Sequence, residues 1–148
     1  CLGNICRSPS AEGIFNYIIE SNNASDRVSC DSAGIIGFHE GNPADSRMMM
    51  HAKRRGYELA SISRPLNSAL DFDSFDLIIG MDEANIAALH SVSRNETDRS
   101  KIKLMTDFCD GQRYSCVPDP YYGGDSGFEL VLDILEEACE GLYSYLLD

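Results

Sequence analysis

The chain opens with the loop Cys1-Leu-Gly-Asn-Ile-Cys-Arg-Ser-Pro9, which stands directly before an amphipathic segment with helical spacing. Gly3 permits a positive φ and a close approach of the backbone to a ligand, and Asn4 tolerates the left-handed region. Backbone N–H groups in such a loop converge on an anion, and the dipole of the following helix reinforces this positive end. The segment therefore predicts an anion-binding loop at a helix N-terminus.

Three side chains give the loop a chemical use. The planar guanidinium of Arg7 matches two oxygens of a phosphate group. Among converging N–H donors we expect Cys1 to be a thiolate, which is the nucleophilic form of cysteine. Ser8 can donate a hydrogen bond to the sulfur and stabilise it as a leaving group. A buried thiol without chemistry is the alternative interpretation of Cys1, and the added glycine, asparagine, serine and proline disfavour it.

A second informative segment lies far downstream, at Val117-Pro-Asp-Pro-Tyr-Tyr-Gly-Gly124. Proline on each side restricts the backbone around Asp119, so this carboxyl group stands on a stiff loop. A rigid loop can present a carboxylic acid to a leaving-group oxygen. Tyr121 and Tyr122 offer a wall against which an aromatic ring can pack. Taken alone, the segment favours an ordinary turn with exposed tyrosines, and the cysteine loop reverses that preference.

The remaining chain alternates short apolar runs with helical patterns. Ser8 is expected to be an N-cap with Pro9 at the first helical position, and Asp82 a second N-cap. Gly56 is placed to supply a left-handed cap. This order implies a parallel sheet covered by helices on both faces. The patterns predict helices at 9–20, 44–55, 82–89 and 125–147, and strands at 27–33, 75–81 and 101–105.

Composition bounds the class of protein. The 148 residues are sized for one domain, 1–148, and lack a run of apolar residues long enough to span a membrane. A net charge of −12 argues against nucleic-acid binding. Six cysteines are too few for a disulfide scaffold and indicate cytoplasmic thiols, and the three histidines lack metal-site spacing. We expect a cytoplasmic monomer without metal or cofactor.

The two segments together resemble the low-molecular-weight protein tyrosine phosphatases. Residues 31–33, 41–43, 75–76 and 81–85 also resemble family segments, in the expected order. The resemblance implies a three-layer α/β/α fold with a small parallel sheet of about four strands. It also implies a first strand upstream of Cys1, which the sequence as given does not contain.

The resemblance assigns a role to each residue of the site. Cys1 attacks phosphorus of a phosphotyrosine protein or aryl phosphate, and Asp119 protonates the departing phenol before inorganic phosphate is released. Cys6 forms a reversible disulfide with Cys1 that protects it from irreversible oxidation. Ser61 stands where the family often has a supporting histidine. The phosphate is bound by Arg7 and the loop Leu2, Gly3, Asn4, Ile5 and Cys6; Asn4, Ser8 and Ser32 support the loop; and the substrate wall is Leu2, Ile5, Phe38, Tyr121 and Tyr122.

Three alternatives remain open. Arsenate reductases share the cysteine loop and pass oxidation to two further cysteines, for which Cys109 and Cys116 have suitable spacing but an unsuitable place in the chain. Phosphoarginine phosphatases carry threonine where this chain has Ile5, and an apolar residue there favours an aromatic leaving group. The third alternative, from a different class, is an inactive phosphate-binding module.

Overall fold

The computed structural model describes residues 1–111, 113–120 and 124–147. Helices dominate this part of the chain, and two short strands lie in its middle. In chain order the elements are α1 (Arg7–Ser21), α2 (Ser46–Arg54), α3 (Ser68–Ser74), β1 (Ile78–Gly80), α4 (Glu83–Val92), α5 (Glu96–Ser100), β2 (Ile102–Leu104), a 3-10 turn (Met105–Phe108) and α6 (Asp125–Leu147).

The sheet lies between two helical layers. β1 and β2 pair in parallel with Ile78 opposite Ile102. Successive side chains of a strand point to opposite faces. Ile79 accordingly packs on the main core, whereas Ile78 packs on a smaller cluster that contains Phe72 of α3 and Leu89 of α4. This arrangement confirms the predicted three-layer α/β/α fold.

The main core forms where α1 packs along α6. The face of α1 predicted from its apolar spacing is buried, with Ile14, Phe15, Ile18 and Ile19 against the apolar face of α6. Full burial of each such side chain contributes about 1.5–3 kcal/mol, so the position of α1 is firmly set. The loop at its N-terminus is anchored with it. Within the described ranges, no helix is long and apolar enough to cross a membrane.

The strand predicted at 27–33 is the main correction to the sequence-based fold. Residues 28–33 are assigned to no strand, and the following residue, Gly34, forms an isolated parallel bridge with Pro65. A ladder needs a neighbouring strand along its whole length, and the described chain offers this segment partners only at single positions. The sheet of the described residues therefore has two strands where about four were expected.

Helix boundaries follow the predicted signals only in part. α1 begins at Arg7, so Ser8 lies inside the helix and is not its N-cap, because its hydroxyl group bonds to the loop instead. Pro9 still falls in the first turn, where its missing N–H is harmless. Asp82 caps α4 as predicted, and Gly56 has φ +90° beyond the end of α2. The short elements α3, α5 and the 3-10 turn were not predicted.

Candidate active site

Neighbouring segments hold the loop that precedes α1 through hydrogen bonds to its carbonyl groups. Asn4 adopts φ +58°, the left-handed conformation that the sequence allows, and is 1% exposed. Hydrogen bonds from neighbouring segments reach the carbonyls of Cys1, Leu2, Gly3 and Ile5 at 2.8–3.0 Å; the donors are Ile35 N, Ile36 N, Ser63 Oγ and Asp45 N, respectively. Since these carbonyls are turned to outside partners, the loop N–H groups are left for an anion.

A directed chain of hydrogen bonds ends at the sulfur of Cys1. Arg64 N donates to Asn4 Oδ1 at 3.0 Å, which fixes the amide so that Asn4 Nδ2 is the donor. That Nδ2 donates to Ser8 Oγ and to Ser32 Oγ, each at 2.9 Å. Ser8 Oγ accepts this bond and can give its own hydrogen to Cys1 Sγ, 3.0 Å away, which is nearer than the alternative acceptor Ala33 O at 3.5 Å. Ser8 N is a second donor at 3.5 Å, and such donors stabilise a thiolate.

The same series of hydrogen bonds also leads from Asn4, through Ser32, to the partly buried carboxylate of Glu12. Ser32 Oγ donates to Glu12 Oε1 at 2.6 Å. Burial raises the pKa of the Glu12 carboxyl above its ordinary value, and the hydrogen bond from Ser32 opposes this change. Glu12 was missed at the sequence level because it lies on α1 among apolar residues that mark only a helix face.

Arg7 connects the loop to two distant carboxylates. It is 3% exposed, and its Nη1 donates to Asp82 Oδ2 at 2.6 Å and to Val117 O at 3.0 Å. Its Nη2 lies 3.7 Å from Asp119 Oδ2. Val117 N donates in turn to Met81 O at 2.8 Å, which fastens the proline-flanked segment to the end of β1. The fold therefore brings the nucleophile loop and the candidate acid to one place.

The two acids differ in their surroundings. Burial acts to raise the pKa of Asp82, but hydrogen bonds from Arg7 and Asn85 N outweigh it and hold that pKa below the ordinary value. Asp82 is therefore a fixed negative charge that orients Arg7. The Asp119 side chain, by contrast, is 43% exposed. Sequence reasoning identified Asp82 only as a helix cap.

The two cysteines of the loop are chemically unlike. Cys6 is buried, and burial raises the pKa of its thiol to about 12, with further contributions from Asp45 and Asp119. It is therefore a neutral thiol, whereas the sulfur of Cys1 faces hydrogen-bond donors. All six cysteines are free.

The predicted substrate wall is placed in part. Leu2 is exposed, Ile5 is half-buried and Phe38 is 82% exposed. The segment of Phe38 flanks the loop, because a Cβ on Gly3 would lie 2.8 Å from the ring of His39, which meets the Phe38 ring edge to face at 4.9 Å. Tyr121 and Tyr122 lie outside the described residues.

Support for the loop comes from a segment that the sequence did not single out. Ser63 and Arg64 make the contacts to Gly3 O and Asn4 Oδ1. Ser61, which stands where the resemblance expects a histidine, lies two residues before them. A backbone N–H donor and a lone serine form no pattern in the sequence, so this support was not predicted.

The second cysteine pair lies in a different setting. Cys109 is buried, and its Sγ lies 3.9 Å from the carbonyl oxygen of Ile134 in α6. Burial raises the pKa of Cys109 to about 12, with the hydrogen-bonded Glu137 adding to the effect. Cys116 is half-buried. A thiol with such a pKa is a poor nucleophile, which argues against thiol exchange through Cys109.

Known proteins are similar to this chain over nearly its whole length. The profile of the low molecular weight phosphotyrosine protein phosphatase family matches residues 1–147. The human low molecular weight phosphotyrosine protein phosphatase is 39% identical over 140 residues, covering 94% of this chain and 87% of that protein. The crystal structure of a protein tyrosine phosphatase from Entamoeba histolytica, with Hepes in its active site, has a TM-score of 0.94 at 49% identity, covering 99% and 92% of the two chains. The Drosophila arginine phosphatase has a TM-score of 0.90 at 29% identity, covering 99% and 94%.

Proposed function

The chain belongs to the low molecular weight phosphotyrosine protein phosphatase family, and we propose that it hydrolyses phosphotyrosine through a phosphocysteine formed on Cys1. It is a hydrolase of the protein tyrosine phosphatase class. The observation that carries the proposal is the placement of Asp119 Oδ2 3.7 Å from Nη2 of Arg7, the residue that closes the Cys1 loop. A nucleophile, an anion-binding group and an acid thus meet at one site.

The first step transfers the phosphoryl group to sulfur. The thiolate of Cys1 attacks phosphorus, an S–P bond forms, and the P–O bond to the phenol breaks. Asp119 gives its proton to the departing phenol oxygen. Arg7 and the loop N–H groups of Leu2 to Cys6 bind the equatorial oxygens, so their charge is stabilised by groups already in place.

The second step regenerates the enzyme. Water attacks the phosphorus of the phosphocysteine, and Asp119, now a carboxylate, accepts the proton from that water. The S–P bond breaks, inorganic phosphate leaves, and the electron pair returns to Cys1. Ser8 donates to the sulfur as its charge reappears, and Asn4 and Ser32 hold Ser8 in that orientation.

Substrate choice rests on the walls of the site. Leu2, Ile5 and Phe38 offer apolar surface to a phenyl ring, and we assign Tyr121 and Tyr122 to the same wall. Likeness to the Drosophila arginine phosphatase makes phosphoarginine the second candidate substrate. Ile5 favours phosphotyrosine, because an apolar side chain gives a guanidinium group no hydrogen-bond partner.

The thiols of Cys1 and Cys6 bear on how the site responds to oxidation and on the compartment expected for the protein. We propose that Cys6 protects Cys1 after peroxide has oxidised it to the sulfenic acid: the Cys6 thiol attacks the Cys1 sulfur, the S–O bond breaks, water leaves, and a disulfide forms that external thiols can reduce. Since the reaction needs a reduced Cys1, the cytoplasm is the expected compartment.

Arsenate reduction is not favoured as the function of this site. Incubation with arsenate and thioredoxin is expected to release no arsenite, and sustained release that depends on Cys109 and Cys116 would reverse this choice.

The acid is tested by substrates with different leaving groups. Asp119→Asn should lower kcat/KM for phenyl phosphate by about 100-fold or more, but far less for nitrophenyl phosphate, whose phenolate leaves without a proton. Asp107→Asn, an exposed aspartate in the 3-10 turn, is the matched control and should leave both values unchanged. Equal losses on both substrates would reject Asp119 as the acid.

A separate measurement addresses the alternative of an inactive phosphate-binding module. Binding of a phosphotyrosine peptide without turnover by the unaltered protein would favour that alternative.

A further inference from the structure

Helix α2 contacts the loop that contains Cys1 at one end, and farther along it contacts the first turns of α6, the helix that follows the segment with Asp119. At its N-terminal end, Asp45 N donates to Ile5 O of the loop at 2.8 Å. Two turns later, His51 faces the first turns of α6, which begins at Asp125, shortly after Asp119 in the chain. Neither the sequence motifs nor the mechanism above uses His51.

His51 is a buried histidine held between two carboxylates. The residue is 1% exposed, and its ring stacks on Phe128 with centroids 5.3 Å apart and planes at 8°. Nδ1 is hydrogen-bonded to Glu129 Oε2, and Nε2 lies 3.3 Å from Asp125 Oδ1. Each ring nitrogen therefore faces one carboxylate, and the two carboxylates lie on successive turns of α6. The cation of Arg55 shares Glu129 with it.

The first turn of α6 is also the support for the acid. The buried Pro120 packs beside this turn, since a Cβ on Gly127 would lie in ordinary van der Waals contact with it, 3.8 Å from its Cβ and 3.9 Å from its Cα. Pro120 directly follows Asp119, and the prolines on both sides of Asp119 restrict its backbone. A shift of the first turn of α6 is therefore transmitted through Pro120 to the Asp119 carboxyl group. A displacement of about 1 Å at a reacting group can cost up to 100-fold in rate.

We propose that His51 is a positioning residue for Asp119, which fixes the distance between the acid and the nucleophile loop by clamping the first turn of α6 to α2. The inference rests on the proposed function, because Asp119 must be the acid. A simple cross-link between the two helices is already provided by Arg55, which binds Glu129, Asp133 and Glu136 farther along α6. His51 differs from Arg55 in that it reaches Asp125, the residue at which α6 begins.

The test compares two substrates in His51→Gln and in the matched variant Arg55→Gln. His51→Gln should lower kcat/KM for phenyl phosphate about tenfold more than for nitrophenyl phosphate, because only the former needs a placed proton. Inhibition by inorganic phosphate should stay unchanged, since the anion loop keeps its contacts. Arg55→Gln should lower stability in urea without changing the ratio of the two substrates.

A second variant makes the test independent of folding. Asp125 is exposed, so Asp125→Asn should fold normally and shift the substrate ratio in the same direction by about threefold. An unchanged ratio in Asp125→Asn and in folded His51→Gln, alongside the expected loss in Asp119→Asn, would overturn the inference and leave the proposed function intact. An unchanged ratio in Asp119→Asn would overturn both.

Discussion

The ion pair between Arg7 and Asp82 gives the sharpest structural prediction. Arg7 is almost wholly buried, and its shortest contact is the 2.6 Å bond to Asp82 Oδ2. Asp82→Asn removes that negative charge but retains a side-chain oxygen that can cap α4 by accepting from Asn85 N, so the helix cap is preserved. The variant therefore isolates the charge pairing of Arg7 from the folding of α4.

The magnitude follows from what remains around Arg7. Breaking a buried ion pair by removing one partner costs about 3–5 kcal/mol. Asp82 is partly exposed, Val117 O still accepts from Arg7, and Asp119 stays nearby, so we expect a cost at or just below the lower limit of this range, about 2–3 kcal/mol. We also expect kcat/KM for an aryl phosphate to fall at least tenfold, because Arg7 loses the group that orients it.

Urea denaturation at several pH values measures the effect. The pKa of Asp82 is lowered in the folded protein, so the ionised group stabilises the fold fully above its unfolded pKa of about 4. That stabilisation is lost as pH falls through the lowered pKa, so the difference between the protein and Asp82→Asn should shrink below about pH 4. Glu83→Gln, an exposed change of equal charge, is the control. A difference under about 0.5 kcal/mol at pH 7, with unchanged kcat/KM, would refute the reasoning.

Four further variants, at three positions, probe the loop and its supports. Asn4→Ala should lower stability in urea by about 2–4 kcal/mol, because it loses three hydrogen bonds and places alanine at φ +58°; Asn4→Gly should recover only the part due to strain. Cys6→Ser should make inactivation by peroxide irreversible to dithiothreitol, and full recovery would remove Cys6 from its protective role. Asp45→Ala should cost about 1 kcal/mol in thermal unfolding, because Asp45 caps α2 through Arg47 N and Met48 N; no loss would show that the cap is dispensable.

Local signals in the sequence predicted most of the helical fold. Three signals were recognisable because each involves residues that are close together in the sequence. They are the apolar spacing of α1 and α6, the Asp82 cap and Gly56. The strand at 27–33 was wrong because β-structure depends on a partner far away in the chain, which a local pattern does not reveal. Ser8 failed as a cap for a related reason, since its hydroxyl group is taken by Asn4 and Cys1.

The principal residues of the candidate site were selected from the sequence, but the contacts that orient them were not. Cys1, Arg7 and Asp119 were selected from two segments, and the structure places all three within one site. The partners that orient them, Asp82 and Glu12, were not recognised because their role depends on tertiary distances. Residues whose function is to hold another residue carry no motif of their own.

The most direct test of the account is to trap the intermediate. The protein is mixed with a radiolabelled aryl phosphate, quenched within one turnover, and digested to locate the bound phosphate. The account expects close to one phosphate per molecule on the peptide that contains Cys1, and none with Cys1→Ser. Turnover that proceeds without phosphate on Cys1, or with phosphate on another residue, would contradict it.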